Sequence, residues 1–118
     1  MKKIHLNGVK MTVIDTAGNG VVGIDTVFVF KQKQQVVTAK YKGGEIANGF
    51  LVGKLNKEVL EFAYCQIQKD GTIDHGTSTG ILEWNNAGKL QLTETFVWGS
   101  RDDKTGVNVF QEVYRSWI

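Results

Sequence analysis

Residues 89–98 read Lys89-Leu90-Gln91-Leu92-Thr93-Glu94-Thr95-Phe96-Val97-Trp98. Leu90, Leu92, Phe96 and Trp98 fall on alternate positions, and Lys89, Gln91, Thr93 and Thr95 fill the places between. A period of two sends successive side chains to opposite faces of an extended strand, whereas a helix would need a period near 3.6. The stretch therefore predicts a β-strand with one buried and one wet face. Upstream, Leu60, Phe62 and Tyr64 share a face in the same way, and Gln66 extends it. Downstream, Val107, Val109 and Val113 alternate with Asn108, Phe110, Glu112 and Tyr114.

Turn signals separate such runs. They fall at residues 15–20, at 33–35, at Lys42-Gly43-Gly44, at 56–58, at Lys69-Asp70-Gly71, at 85–88 and at 100–106. Asp-Gly and Gly-Gly supply the positive φ that tight hairpins require. The strands expected between them cover 9–15, 25–32, 36–41, 45–55, 59–68, 72–84, 89–98 and 107–117. No segment has the pattern of an amphipathic helix, so βαβ crossovers are excluded and the sheet is expected to be antiparallel. Short connections make neighbours in sequence neighbours in space. A meander of about eight strands leaves two unpaired edges, and closing it removes both. The fold expected is all-β: an antiparallel up-and-down barrel of about eight strands, in preference to a two-sheet sandwich.

The 118 residues fit one domain spanning the whole chain, long enough to bury a core without metal or disulfide. Fourteen glycines and no proline suit many hairpins, because proline would remove ladder donors. Net charge is +2, with the signs interspersed and only Lys2-Lys3 adjacent in a basic cluster. Nucleic-acid binding usually needs a basic stripe, so it is not expected. No apolar run is long enough to cross a membrane as a helix, and no signal-peptide core follows Lys3, so a cytoplasmic protein is expected. Cys65 is the lone cysteine and lies among Phe62, Ala63 and Tyr64. It reads as a buried, inert thiol.

Residues 41–112 resemble a group of small, poorly characterised bacterial proteins. The resemblance rests on Tyr41-Lys42-Gly43-Gly44-Glu45-Ile46, Gly49-Phe50-Leu51-Val52-Gly53, Phe62-Ala63-Tyr64-Cys65-Gln66 and residues 76–83. It continues through residues 94–101 and Gly106-Val107-Asn108-Val109. It implies a lipocalin-like, calycin-type β-barrel. Some members of the group carry the label N-acetylglutamate synthase. An acetyl-CoA site of that kind needs a strand, a glycine-containing turn and a helix to hold the pyrophosphate. This sequence has no such unit, so the resemblance implies the barrel and not acetyl transfer. It also implies that Arg101, close to Trp98 in sequence, stacks on that ring to close one barrel end.

Six residues are candidates for a site: Tyr64, Gln66, Ser78, Glu94, Trp98 and Arg101. Glu94 interrupts the apolar face of its strand, and a buried carboxylate is costly unless it is paired. It either fixes the barrel through an arginine or hydroxyl, or meets a ligand, or acts as a base. Tyr64, Gln66 and Ser78 form a polar lining beside it if the strand register brings them together. Arg101 either pairs with Glu94 or Glu112 or receives a ligand carboxylate. Gly49 and Gly53 share a face with Ala47, Leu51 and Leu55, and Gly76 and Gly80 with Ser78, Leu82 and Trp84. Small residues alternating with large ones suit the inner face of a tight barrel or a bend in a strand, or they leave room for a ligand.

His5 and His75 have no metal-ligand spacing, so no metal is expected, and no cofactor motif is present. The function these features imply is binding of a small, partly apolar molecule inside the barrel. The alternatives are an enzyme of the same architecture using Glu94, of isomerase, cyclase or dehydratase type, and a filled structural barrel. For the filled barrel a second copy of the chain is the candidate partner, met through Phe110, Tyr114 and Trp117 if they are exposed; equally, these aromatics cover the barrel's base.

Overall fold

The computed structural model describes residues 3–102 and 104–113. Eight strands follow one another: β1 (Lys10–Thr16), β2 (Val27–Lys33), β3 (Val36–Gly43), β4 (Ile46–Asn56), β5 (Val59–Gln68), β6 (Ile73–Trp84), β7 (Leu90–Trp98) and β8 (Thr105–Glu112). Each pairs antiparallel with its sequence neighbour, and β1 also pairs with β8, so the sheet closes into a barrel. The antiparallel eight-stranded barrel expected from the sequence is the fold observed. Closure satisfies the backbone groups that two free edges would expose.

Side-chain parity creates the interior. Leu60, Phe62, Tyr64, Gln66 and Gln68 of β5 point inward, as do Asp74, Gly76, Ser78, Gly80 and Leu82 of β6. On β7 the inward set is Leu90, Leu92, Glu94, Phe96 and Trp98. In β8 the buried set is not the valines. Phe110 lies opposite Leu92 and Val13 and is 2% exposed, while Val107 is 46% exposed. Apolar residues stand on both faces of this strand, so its periodicity leaves the inward face open. Pairing with β7 and β1 on either side decides it. Phe110 is thus core and not contact surface. Tyr114 and Trp117 lie outside the described residues.

Two further expectations are corrected. Cys65 is exposed, because it alternates with the inward Tyr64 and Gln66. Ala47 points outward, away from Gly49, Leu51 and Leu55. A register shift between Ile46 and Asn48 inserts one extra residue there and flips the parity.

The two barrel ends differ. At one end, strands turn at residues 34–35, 57–58 and 85–89, with Gln34 and Lys57 of the two-residue turns in the left-handed region at φ 56° and 57°. The segment before β1 plugs this end: Leu6 and Val9 are buried, and Gly8 and Val9 exchange backbone hydrogen bonds with Phe30. Aliphatic side chains such as Met11, Val37, Leu55, Leu60 and Leu90 fill the space. The opposite end, the rim, carries the segments 17–26, 44–45, 69–72 and 99–104. All three register shifts occur on its strands: in β1 between Val13 and Asp15, in β3 between Tyr41 and Gly43, and in β4 after Ile46.

The glycines within strands are filled by the protein itself. The Tyr41 ring lies where a Cβ at Gly49 would stand, and the Phe96 ring covers Gly106 in the same way. At Gly76 a Cβ would meet the Tyr64 hydroxyl and the Val97 carbonyl. These glycines exist so that aromatic rings can lie flat across the neighbouring strand. Gly76→Ala should therefore lower stability by about 1–3 kcal/mol, the usual cost of overpacking. The measurement is the urea midpoint, and an unchanged midpoint would show that both the Tyr64 side chain and the Val97 backbone give way freely.

Candidate functional site

The rim half of the interior is aromatic. Phe28 stacks on Tyr41 with centroids 4.2 Å apart, and Phe110 meets Phe28 edge-on at 4.7 Å. Trp98 stands edge-on to Tyr64 at 5.9 Å and to Phe96 at 5.3 Å. These rings, with Gln66, Glu94, Asn108 and the loop residues Gly20, Val21 and Val22, line a half-open cavity of about 30 Å³. That is room for a water molecule or two.

Polar groups reach this cavity in two sets. In the first, Ser78 Oγ donates to Glu94 Oε2 at 2.5 Å, and Asn108 Nδ2 donates to Glu94 Oε1 at 3.0 Å. Thr16 Oγ1 completes the chain by donating to Asn108 Oδ1 at 2.6 Å. The network ties β6, β7, β8 and β1 together across the closing seam. Glu94 is 4% exposed. Burial pushes its carboxyl above the ordinary glutamate range, against the downward pull of its two hydrogen bonds.

In the second set, the Tyr41 hydroxyl donates to Gln66 Oε1 at 2.8 Å. The Tyr64 hydroxyl, Gln66 Nε2 and Trp98 Nε1 are buried with no hydrogen-bond partner in the protein. Burial, and secondarily the Glu94 charge, push both tyrosine hydroxyls far up, so both remain protonated donors.

Arg101 sits above these groups at the rim. Its guanidinium lies 4.7 Å from the Trp98 ring centroid. It grips Asp74 with two bonds, Nε to Oδ1 at 2.9 Å and Nη2 to Oδ2 at 2.5 Å. The expected partners Glu94 and Glu112 are not the ones found. Glu94 is held by Ser78 and Asn108, and Glu112 Oε1 accepts from the Leu90 amide. Asp74 faces inward near the rim, close enough for the arginine to reach it, and also accepts from Ser100 Oγ at 3.0 Å. The Arg101 hydrogen bond, ahead of the others, holds the Asp74 carboxyl below its ordinary range.

Of the six residues expected at the site, Tyr64, Gln66, Glu94 and Trp98 line the cavity. Ser78 is bonded to Glu94, and Arg101 caps Trp98 from the rim. Tyr64 and Gln66 stand opposite Gly76 and Asp74, so they form a cluster apart from Ser78. Tyr41, Asp74 and Asn108 belong with these groups and were not foreseen. Asp74 shares its parity with Gly76 and Ser78, a signal that was available in the sequence. Asn108 was hidden by the valines that flank it.

A family model described as Avidin-like protein matches residues 4–113. No curated protein and no solved structure matches the chain.

The network carries two predictions. A carboxyl whose folded pKa is raised contributes most at low pH, and that contribution is lost as pH rises from about 4.3 through the folded value. Glu94→Gln can accept from Asn108 and donate to Ser78, so it should flatten the fall in stability above about pH 5. Glu94→Leu leaves Ser78 and Asn108 buried without partners and should cost about 2–4 kcal/mol at pH 5. Urea titrations across pH 4–9 check both. Asp74 has the opposite sign: its depressed value adds stability above about pH 3.9 that is lost as pH falls through the folded value. In Arg101→Leu that acid-side loss should shrink, a comparison best made by thermal melts at pH 7 and pH 3.

Proposed function

We propose, because this chain belongs to the avidin-like family of calycin-type barrels, that it holds a small, partly apolar molecule in the rim half of its interior. The observation that supports this best is the cavity itself: the Tyr64 hydroxyl, Gln66 Nε2 and Trp98 Nε1, all buried without partners, sit around one space lined by aromatic rings. Native proteins pair nearly all buried polar groups, so three unpaired donors at one cavity are a reason to look for a ligand.

Residues 17–26 are the natural way in. β1 and β2 pair only from Lys10 to Thr12, so beyond that point the wall between them is this segment rather than a hydrogen-bonded ladder. Bonds that tie the segment to the barrel include Asn19 Nδ2 to the Thr105 carbonyl at 3.1 Å, Thr12 Oγ1 to the Ile24 carbonyl at 2.5 Å and Thr26 Oγ1 to the Gly43 carbonyl at 3.1 Å. Val21 and Val22 line the cavity from this segment, so lifting them would widen a space that is now about 30 Å³. Glu94 has both oxygens engaged in holding β6 to β8, which favours a fixed structural part over a catalytic one.

Self-association belongs to the same reading, since avidin-like proteins often form oligomers. The outer wall of β4–β6 presents Phe50, Ile67 and Ile73, at 45%, 38% and 64% exposed, around Cys65. It is a better surface for a second copy than the buried Phe110.

Native mass spectrometry of the purified protein, compared with its denatured mass, tests this reading. The expected outcome is a reproducible added mass that is lost on denaturation, or that appears when a small ligand such as biotin is supplied. Neither free nor supplied ligand adding mass would leave a filled structural barrel. The same spectrum reports the number of copies.

A further inference from the structure

We propose that the outer wall of β2 and β3 is a docking surface for a single-stranded nucleic acid, whose phosphates follow a line of lysines. The surface lies outside the barrel, so the proposal is independent of the small-molecule reading. Between Asp25 and Glu45 the chain carries Lys31, Lys33, Lys40 and Lys42 and no acid. All four are exposed on the outward face of their strands. The register sets them in order: Val27 pairs with Lys42, Val29 with Lys40, Lys31 with Thr38, and Lys33 with Val36. Each outward rung of this hairpin thus holds one lysine, on β3 in the two rungs nearer the rim and on β2 in the two nearer the plugged end. At about 3.4 Å per residue the stripe is about 20 Å long. Lys10 widens it at one rung, where the pairing runs from Lys10 through Val29 and Lys40 to Phe50. The neighbouring strand β4 contains no acid, and none of the four lysines forms an ion pair among the described residues. In the linear sequence these charges look scattered, and strand pairing assembles them.

A line of like charges with no acid beside it attracts an anionic partner. The modest net charge of +2 does not cancel this, because exposed charges more than about 10 Å apart are largely screened at 0.1 M salt. The stripe runs along the strand direction and is mostly one lysine wide. That suits one extended backbone, whereas the strands of a duplex wind away from such a line. Beside the stripe, the exposed Phe50 borders a shallow depression together with Val27, Val29, Lys40 and Lys42. A base stacks on that ring while its phosphate meets Lys40. Aromatic side chains beside a basic track hold single strands in this way, with little regard to sequence. A bilayer is a poorer match. Surfaces that enter lipid set Trp, Phe or Leu against their cations, and the rungs here set valine or threonine beside each lysine.

Fluorescence anisotropy of a labelled short oligo(dT), titrated with the full chain at several salt concentrations, tests this. Binding is expected, with log K falling against log salt at a slope of about −3, the value for four lysines on a single strand. Lys31→Gln combined with Lys40→Gln should about halve that slope and weaken binding at low salt. Phe50→Ala should weaken binding about five-fold or more and leave the slope unchanged. All three side chains are exposed, so these variants should melt close to the parent. Lys89→Gln combined with Lys104→Gln removes the same charge from the connections on either side of β7, and should leave the slope unchanged. No binding up to about 100 μM protein, the weak limit of non-specific association, would overturn the proposal. So would a duplex binding more tightly than oligo(dT), or an equal loss from the stripe pair and the control pair. Sedimentation with phosphatidylserine vesicles covers the other anionic surface. Capture by vesicles without binding of oligo(dT) would give the stripe to lipid and overturn the proposal.

Discussion

Everything inside this protein follows from one pairing, that of β1 with β8. Without it the chain would be a curled sheet with two exposed edges, and its inward faces would not enclose a volume. With it, every second residue of every strand is committed to a space that must be filled. Thr16, Asn108, Glu94 and Ser78 are hydrogen-bonded in sequence across this region, so a buried carboxyl is also part of what holds the closing strands in register. The barrel accepts the cost of burying Glu94 because removing it would strand its partners, a typical asymmetry of buried polar networks.

Much of this was legible in the residues. The alternation in 59–68, 72–84 and 89–98 locates β5, β6 and β7 closely and assigns their faces correctly, including Gln66, Ser78 and Glu94. Alternation fails as a guide where a strand has apolar residues on both sides. Val107 and Val109 look as suited to a core as Phe110, and only contact with Leu92 and Val13 chooses between them. It fails again where a strand gains a residue. Nothing in the letters of Ile46-Ala47-Asn48 announces the shift that turns Ala47 outward.

The candidate site was legible as a set of residue types but not as a geometry. Glu94 stood out because charge on an apolar face needs a reason. Its partner Asn108 lies on β8 and is reached only through the β7–β8 register. Arg101 stood out by its nearness to Trp98, yet its carboxylate lies twenty-seven positions away on β6. The unpaired donors were least visible of all, since a missing hydrogen bond is a property of the packed interior and not of any local pattern.

The two ends of the barrel also differ in how much change they tolerate. At the plugged end, the two-residue turns 34–35 and 57–58 force Gln34 and Lys57 into a left-handed backbone, and the segment before β1 is packed into the opening. An added residue there would have to break a hairpin or expel Leu6. At the rim every connection but 44–45 is longer than those turns, and the ladders already contain extra residues at three places. Lengthening a loop there costs little beyond a slowly growing closure entropy. Descendants of such a chain would diverge from the rim inward, changing what they recognise while the plugged end keeps the same tight turns.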